Sequence, residues 1–89
     1  MTMLDDRKMF APLRRAHMTS PELQLVVLLK RHQAGATAQR LASDMAGAAL
    51  VVGSRASVVK RVGELLDDLE RGGQVERIPD GRYRAVRKG

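Results

Sequence analysis

Residues 54–84, from Ser54 to Arg84 (SRASVVKRVGELLDDLERGGQVERIPDGRYR), decide how the chain is read. Ser54 suits a helix cap, because its hydroxyl can accept from a backbone N–H that has no partner inside the helix. After it, Val58, Val62, Leu65, Leu66 and Leu69 follow the helical period and define a buried face. Gly72-Gly73 ends the helix, which is predicted over Arg55–Arg71. A hairpin follows. Gln74–Ile78 reads as a strand, Pro79-Asp80-Gly81 as a turn and Arg82–Arg87 as the returning strand. Asp-Gly between two β-rich runs is a recognised hairpin signal. Val75 and Ile78 have opposite parity, which leaves the inward face of that strand open.

Upstream, two further helices are expected. Ser20 caps one over Pro21–Gln33, with Pro21 at the first helical position. Leu23, Val26, Val27 and Lys30 share a face there, with Leu25 and Leu29 close by. Thr37 caps the next, which runs through Met45. Ala38, Leu41 and Met45 face inward, Gln39, Arg40 and Ser43 face outward, and Gly47 suits a stop. Ala48–Val52 fits a buried strand, a helix extension or a hydrophobic linker, because periodicity does not decide short apolar runs. Residues 1–18 read as an N-terminal basic arm, disordered or docked, in which a short helix over Leu4–Phe10 is compatible with the sequence. Residues 19–89 form the folded domain.

Composition narrows the function classes. Eighty-nine residues make one small domain. Sixteen cations against ten acids leave a formal charge of +6, which favours polyanionic partners. There is no Cys, so disulfides and zinc fingers are excluded. Phe10 and Tyr83 are the only aromatics, too few for a base-stacking platform. Acids at residues 4–8 oppose an export signal, and no apolar run approaches the roughly 20 residues of a membrane span. A cytoplasmic chain without membrane partners is expected, associated with the nucleoid in a bacterium. No enzyme is expected. Gly47 to Ser54 lacks the spacing and the Lys of a phosphate loop, and Ser54 and Ser57 have no His nearby in sequence to act as base. His32 reads as a partly exposed surface residue and Asp67-Asp68 as a solvated helix face. No metal or cofactor is expected.

The charges of the third helix are polarised. Arg55, Lys60 and Arg61 lie in its first half, and Glu64, Asp67, Asp68 and Glu70 in its second. The helix dipole favours the reverse order. The cost is a few tenths of a kcal/mol per charge, which points to cations placed near a ligand.

Residues 20–87 resemble a winged helix-turn-helix domain of the bacterial transcription-regulator kind. The resemblance rests on Ala36-Thr37-Ala38-Gln39-Arg40-Leu41-Ala42 and on the run from Ser54 to Arg84, with its Ser/Arg-rich helix start and its Gly-Gln-Val-Glu-Arg exit into the hairpin. It implies a mainly α fold of three helices with a C-terminal two-strand wing, and sequence-specific binding of double-stranded DNA in transcription regulation. The third helix would enter a major groove and the wing would lie on adjacent backbone. Ser54, Arg55, Ser57, Lys60 and Arg61 would then face the DNA. Thr37, Gln39 and Arg40 would touch phosphates from the second helix. Arg82 and Arg84 would reach phosphates or a minor groove from the wing. One departure from the pattern is the apolar Gly47–Gly53 segment, where the family usually has a short turn. A palindromic site would imply a homodimer, with Ala48–Val52 or the arm as its surface. The alternative is a protein-interaction module on the same scaffold, or an accessory subunit of a nucleic-acid complex.

Overall fold

The structure is a computed structural model that describes residues 6–13 and 20–86. It is mainly helical, with one small two-stranded antiparallel sheet. In chain order the elements are α1 (Asp6–Met9), α2 (Pro21–Arg31), α3 (Ala38–Gly47), α4 (Arg55–Arg71), β1 (Val75–Arg77) and β2 (Tyr83–Ala85). The three long helices start where the capping residues place them. Ser20, Thr37 and Ser54 accept from the N–H groups of Leu23, Arg40 and Ser57 at 3.2, 3.1 and 3.2 Å. Each such cap contributes about 1 kcal/mol.

One core joins all of these elements. Leu25 and Leu29 of α2, Leu41 and Met45 of α3, Val62, Leu65 and Leu66 of α4 and Val75 of β1 are all buried. The inward face of α2 differs from the expected one. Leu25, Leu28 and Leu29 are buried, whereas Leu23 is 55% and Val27 43% exposed. This helix is apolar on more than one side. The face carrying Leu25 at i and Leu28 and Leu29 at i+3 and i+4 packs inward, and the Leu23/Val27 edge is left in solvent.

The strands are shorter than expected. Gln74, Ile78, Arg82 and Val86 flank them, and Arg87 lies outside the described residues. The pairs Val75–Ala85 and Arg77–Tyr83 share one face, and Glu76–Arg84 lies on the other. The parity conflict resolves at Ile78, which has left β1. Its N–H donates to the Arg82 carbonyl at 2.7 Å, closing the turn that holds Pro79 to Gly81. Its side chain lies against Gly35, where an added Cβ would stand 2.8 Å from Ile78 Cδ1 and 2.9 Å from the Tyr83 carbonyl oxygen. Gly35 also takes φ +92°, so both space and backbone call for glycine. This close approach lets Ala36 bridge to Tyr83 by two backbone hydrogen bonds of 2.8 Å.

The segment after α3 is an irregular connection. Gly47 is the last helical residue, Ala48 is the C-cap, and Ala49 follows with φ +56°. Ala49 N–H donates to the Ala46 carbonyl and Leu50 N–H to the Met45 carbonyl, the bond pattern of a Schellman cap. Leu50 is buried, Val51 packs partly against the core and Val52 is exposed. Residues 6–13 cover this segment. Leu13 N–H donates to the Leu50 carbonyl at 3.1 Å, and Val52 N–H donates to the Met9 carbonyl at 2.9 Å. Met9, Phe10 and Leu13 are buried in the common core. Leu50 and Val51 are therefore taken up by the chain's own core while Ala48, Ala49 and Val52 stay exposed, and this part of the arm is docked. Residues 1–5 and 14–19 lie outside the described residues. No helix among those described is long and apolar enough to cross a membrane.

Candidate nucleic-acid interface

The side chains singled out in the sequence fall on three places. The first is an open groove of about 690 Å³ between α3 and the start of α4, lined by Gln39, Arg55, Ala56, Val59 and Lys60. Sequence spacing alone does not join Gln39 to Lys60. The packing of α3 on α4 does, with Gly63 beneath it. A Cβ added at Gly63 would lie 4.0 Å from that of Ala38. The Arg55 guanidinium reaches across the groove and donates to Ser43 Oγ. Arg55 is thereby oriented by a neutral partner that leaves its charge unbalanced. Lys60 is exposed, and no hydrogen bond or ion pair among the described residues engages it.

The second place is the pair of helix starts. Thr37 and Ser54 are occupied as caps. Ser54 also donates to Ser57 Oγ at 2.8 Å, which joins two of the expected contact residues. Arg40 is well exposed and sits 3.5 Å from Asp44, one turn on. Arg61 is half-buried and pairs with Glu64 at 3.2 Å.

The third place is the hairpin. No hydrogen bond or ion pair among the described residues links Arg82 or Arg84 to the groove. Both are engaged locally. Arg82 donates from Nε to Asp80 Oδ2 at 2.8 Å, and its N–H donates to Asp80 Oδ1 at 3.1 Å. Each partner reinforces the other's charge. Its hydrogen bond with Arg82 holds the Asp80 carboxyl below its ordinary range, and the Arg82 guanidinium is held above its own. Arg84 donates from Nε to Glu76 Oε1 at 2.6 Å on the outer face.

Asp68 is exposed and Asp67 half-exposed, as expected, but Asp67 also meets the hairpin. Asp67 accepts from the Tyr83 hydroxyl at 2.9 Å and from Arg77 at 2.5 Å, and Arg77 donates to the Tyr83 oxygen at 2.7 Å. Glu70 stands 3.7 Å from the same guanidinium, which lies 5.0 Å from the centre of the Tyr83 ring. Asp67 and Glu70 therefore anchor the hairpin to α4. Burial first, and the Asp67 carboxylate second, push the Tyr83 phenol above its ordinary value. Sequence reasoning missed Arg77. The signal was its position opposite Tyr83 in the hairpin register, on the inward face.

His32 is partly exposed, as the sequence suggests. Its Nε2 lies 2.8 Å from Asp44 Oδ2, closing the end of α2 onto α3. No protein-family model, curated protein or solved structure matches this chain.

Proposed function

We propose that the chain is a winged helix-turn-helix domain that binds double-stranded DNA, in the service of transcription regulation. The first half of α4 enters a major groove and the β1–β2 hairpin lies as a wing on the adjacent backbone. The observation that carries this reading is the separation of charge along α4. Arg55 and Lys60 line one groove with Gln39 and have no acidic partner among the described residues. The acids Asp67 and Glu70 are turned to holding the hairpin. The wing reading is supported by the Ala36–Tyr83 bridge, which adds a short third edge to the hairpin between α2 and α3. In this role Arg55 supplies a planar fork suited to guanine or phosphate, and Lys60 a point charge.

The test is duplex binding across a salt series, with the triple variant Arg55→Ala, Lys60→Ala, Arg61→Ala beside the unaltered chain. Phosphate contacts release counterions, so binding weakens steeply with salt, and the variant's slope falls by up to about three. No binding at low salt by the folded chain overturns the reading.

A second reading rests on a different observation. The exposed Leu23 and Val27 on α2 form an apolar edge that suits a protein partner or a second copy. The chain would then be a protein-interaction module, and the duplex experiment would be negative.

A further inference from the structure

The hairpin carries two of the cations expected to meet phosphate, and both are spent on carboxylates within four residues of the turn. Asp80 holds Arg82 through its backbone N–H, its Nε and, at 2.6 Å, its terminal nitrogen. Glu76 holds Arg84 from the facing strand through Nε and, at 2.5 Å, through a terminal nitrogen. The α3–α4 groove is arranged in the opposite way, since Arg55 rests on a serine and Lys60 on no partner among the described residues. One surface thus offers open cations, and the other offers cations already neutralised.

We infer that Asp80 and Glu76 are specificity-determining residues that mask the hairpin's arginines from polyanions in general. The inference rests on the DNA reading above and deepens it. All four side chains are exposed, so each pair is held only weakly against water. A phosphate brought to the right place by the groove can replace the carboxylate as partner to the same guanidinium, because Arg binds either anion with the same two-point geometry. A phosphate arriving elsewhere meets a neutral hairpin. The hairpin therefore adds little to indiscriminate attraction and contributes once the groove has set the register. It works as a second check on position.

Asp80→Asn and Glu76→Gln test this. Both keep a side-chain acceptor near the arginine and remove only the charge. Asp68→Asn is the control. It makes the same change in net charge on the far half of α4, where Asp68 pairs with Arg71. Binding of an unrelated duplex is followed across a salt series. Each of the two hairpin variants is expected to bind it about two- to five-fold more tightly at low salt, the scale of one exposed ion pair. The salt slope should steepen by about one. Asp68→Asn should give neither change, and Arg82→Ala should abolish the gain from Asp80→Asn. If the unaltered chain binds duplex but the hairpin variants match it in affinity and slope, or Asp68→Asn gains as much, the masking role is overturned while the DNA reading stands. If the unaltered chain binds no duplex, the reading itself fails and the inference falls with it.

Discussion

Ala49 is the residue at which the fold pays most visibly for its connections. It ends α3 in a left-handed conformation, and α4 ends in the same bond pattern with Gly73 in the equivalent place. There Gly73 N–H donates to the Glu70 carbonyl and Gln74 N–H to the Leu69 carbonyl. Gly73 meets no Cβ penalty at φ +78°, whereas Ala49 at +56° does. Ala49→Gly is therefore expected to stabilise the chain by about 0.5–1 kcal/mol. For a domain of this size that gain raises Tm by a few degrees, on the order of 2–8 °C. Thermal and urea unfolding check this, and a variant no more stable than the parent would contradict the strain assigned to Ala49.

The hairpin is held as an element by Tyr83, Arg77 and Asp67, and the phenol gives this latch a pH signature. Tyr83 titrates above its ordinary value in the folded chain, mainly through burial. Its contribution to stability is complete below the ordinary tyrosine value of about 10. It is lost as pH rises through the higher folded value. Tyr83 is the single tyrosine and there is no tryptophan, so ultraviolet absorbance reports this one group. The midpoint should lie above that of free tyrosine and return toward it in Asp67→Asn. An ordinary midpoint in the parent chain would mean that the latch is open in solution.

Elements such as these were legible in the sequence wherever the cause was local. Ser20, Thr37 and Ser54 mark their helix starts, and Asp80-Gly81 marks the hairpin, because capping and turn chemistry act over three or four residues. The inward face of α2 was not legible, because Leu23, Val27, Leu25 and Leu29 differ in nothing except what lies opposite them. The pairing of Glu76, and the anchoring role of Asp67, were hidden for the same reason. Their partners lie 8 and 16 residues away, and such contacts are set by the assembled hairpin and its packing on α4. Within the candidate site, Arg55 and Lys60 were legible as exposed cations. Their meeting with Gln39 and Ser43 required the packing of α3 against α4.

At the scale of the whole molecule, the +6 charge is sorted. Among the described residues, Arg55 and Lys60 at the groove of α3 and α4 have no acidic partner, Arg82 and Arg84 on the hairpin are paired with hairpin acids, and Asp67 and Glu70 of α4 pair with Arg77 at the hairpin's base. Residues 6–13 brace the far end of this arrangement. Val52, bonded to Met9, stands two residues before the Ser54 cap of α4. The arm segment thus fixes the connection that delivers the proposed DNA-reading end of α4, and of the apolar Ala48–Val52 run Leu50 and Val51 serve the chain's own core. The most direct measurement is residue-by-residue amide chemical-shift mapping as a short duplex is added to the labelled chain. The account expects changes concentrated at residues 37–40, 54–61 and 80–84, with 64–71 and the Leu23/Val27 edge of α2 unmoved. Changes centred on Leu23 and Val27, or on the acidic half of α4, or none at all at low salt, would contradict it.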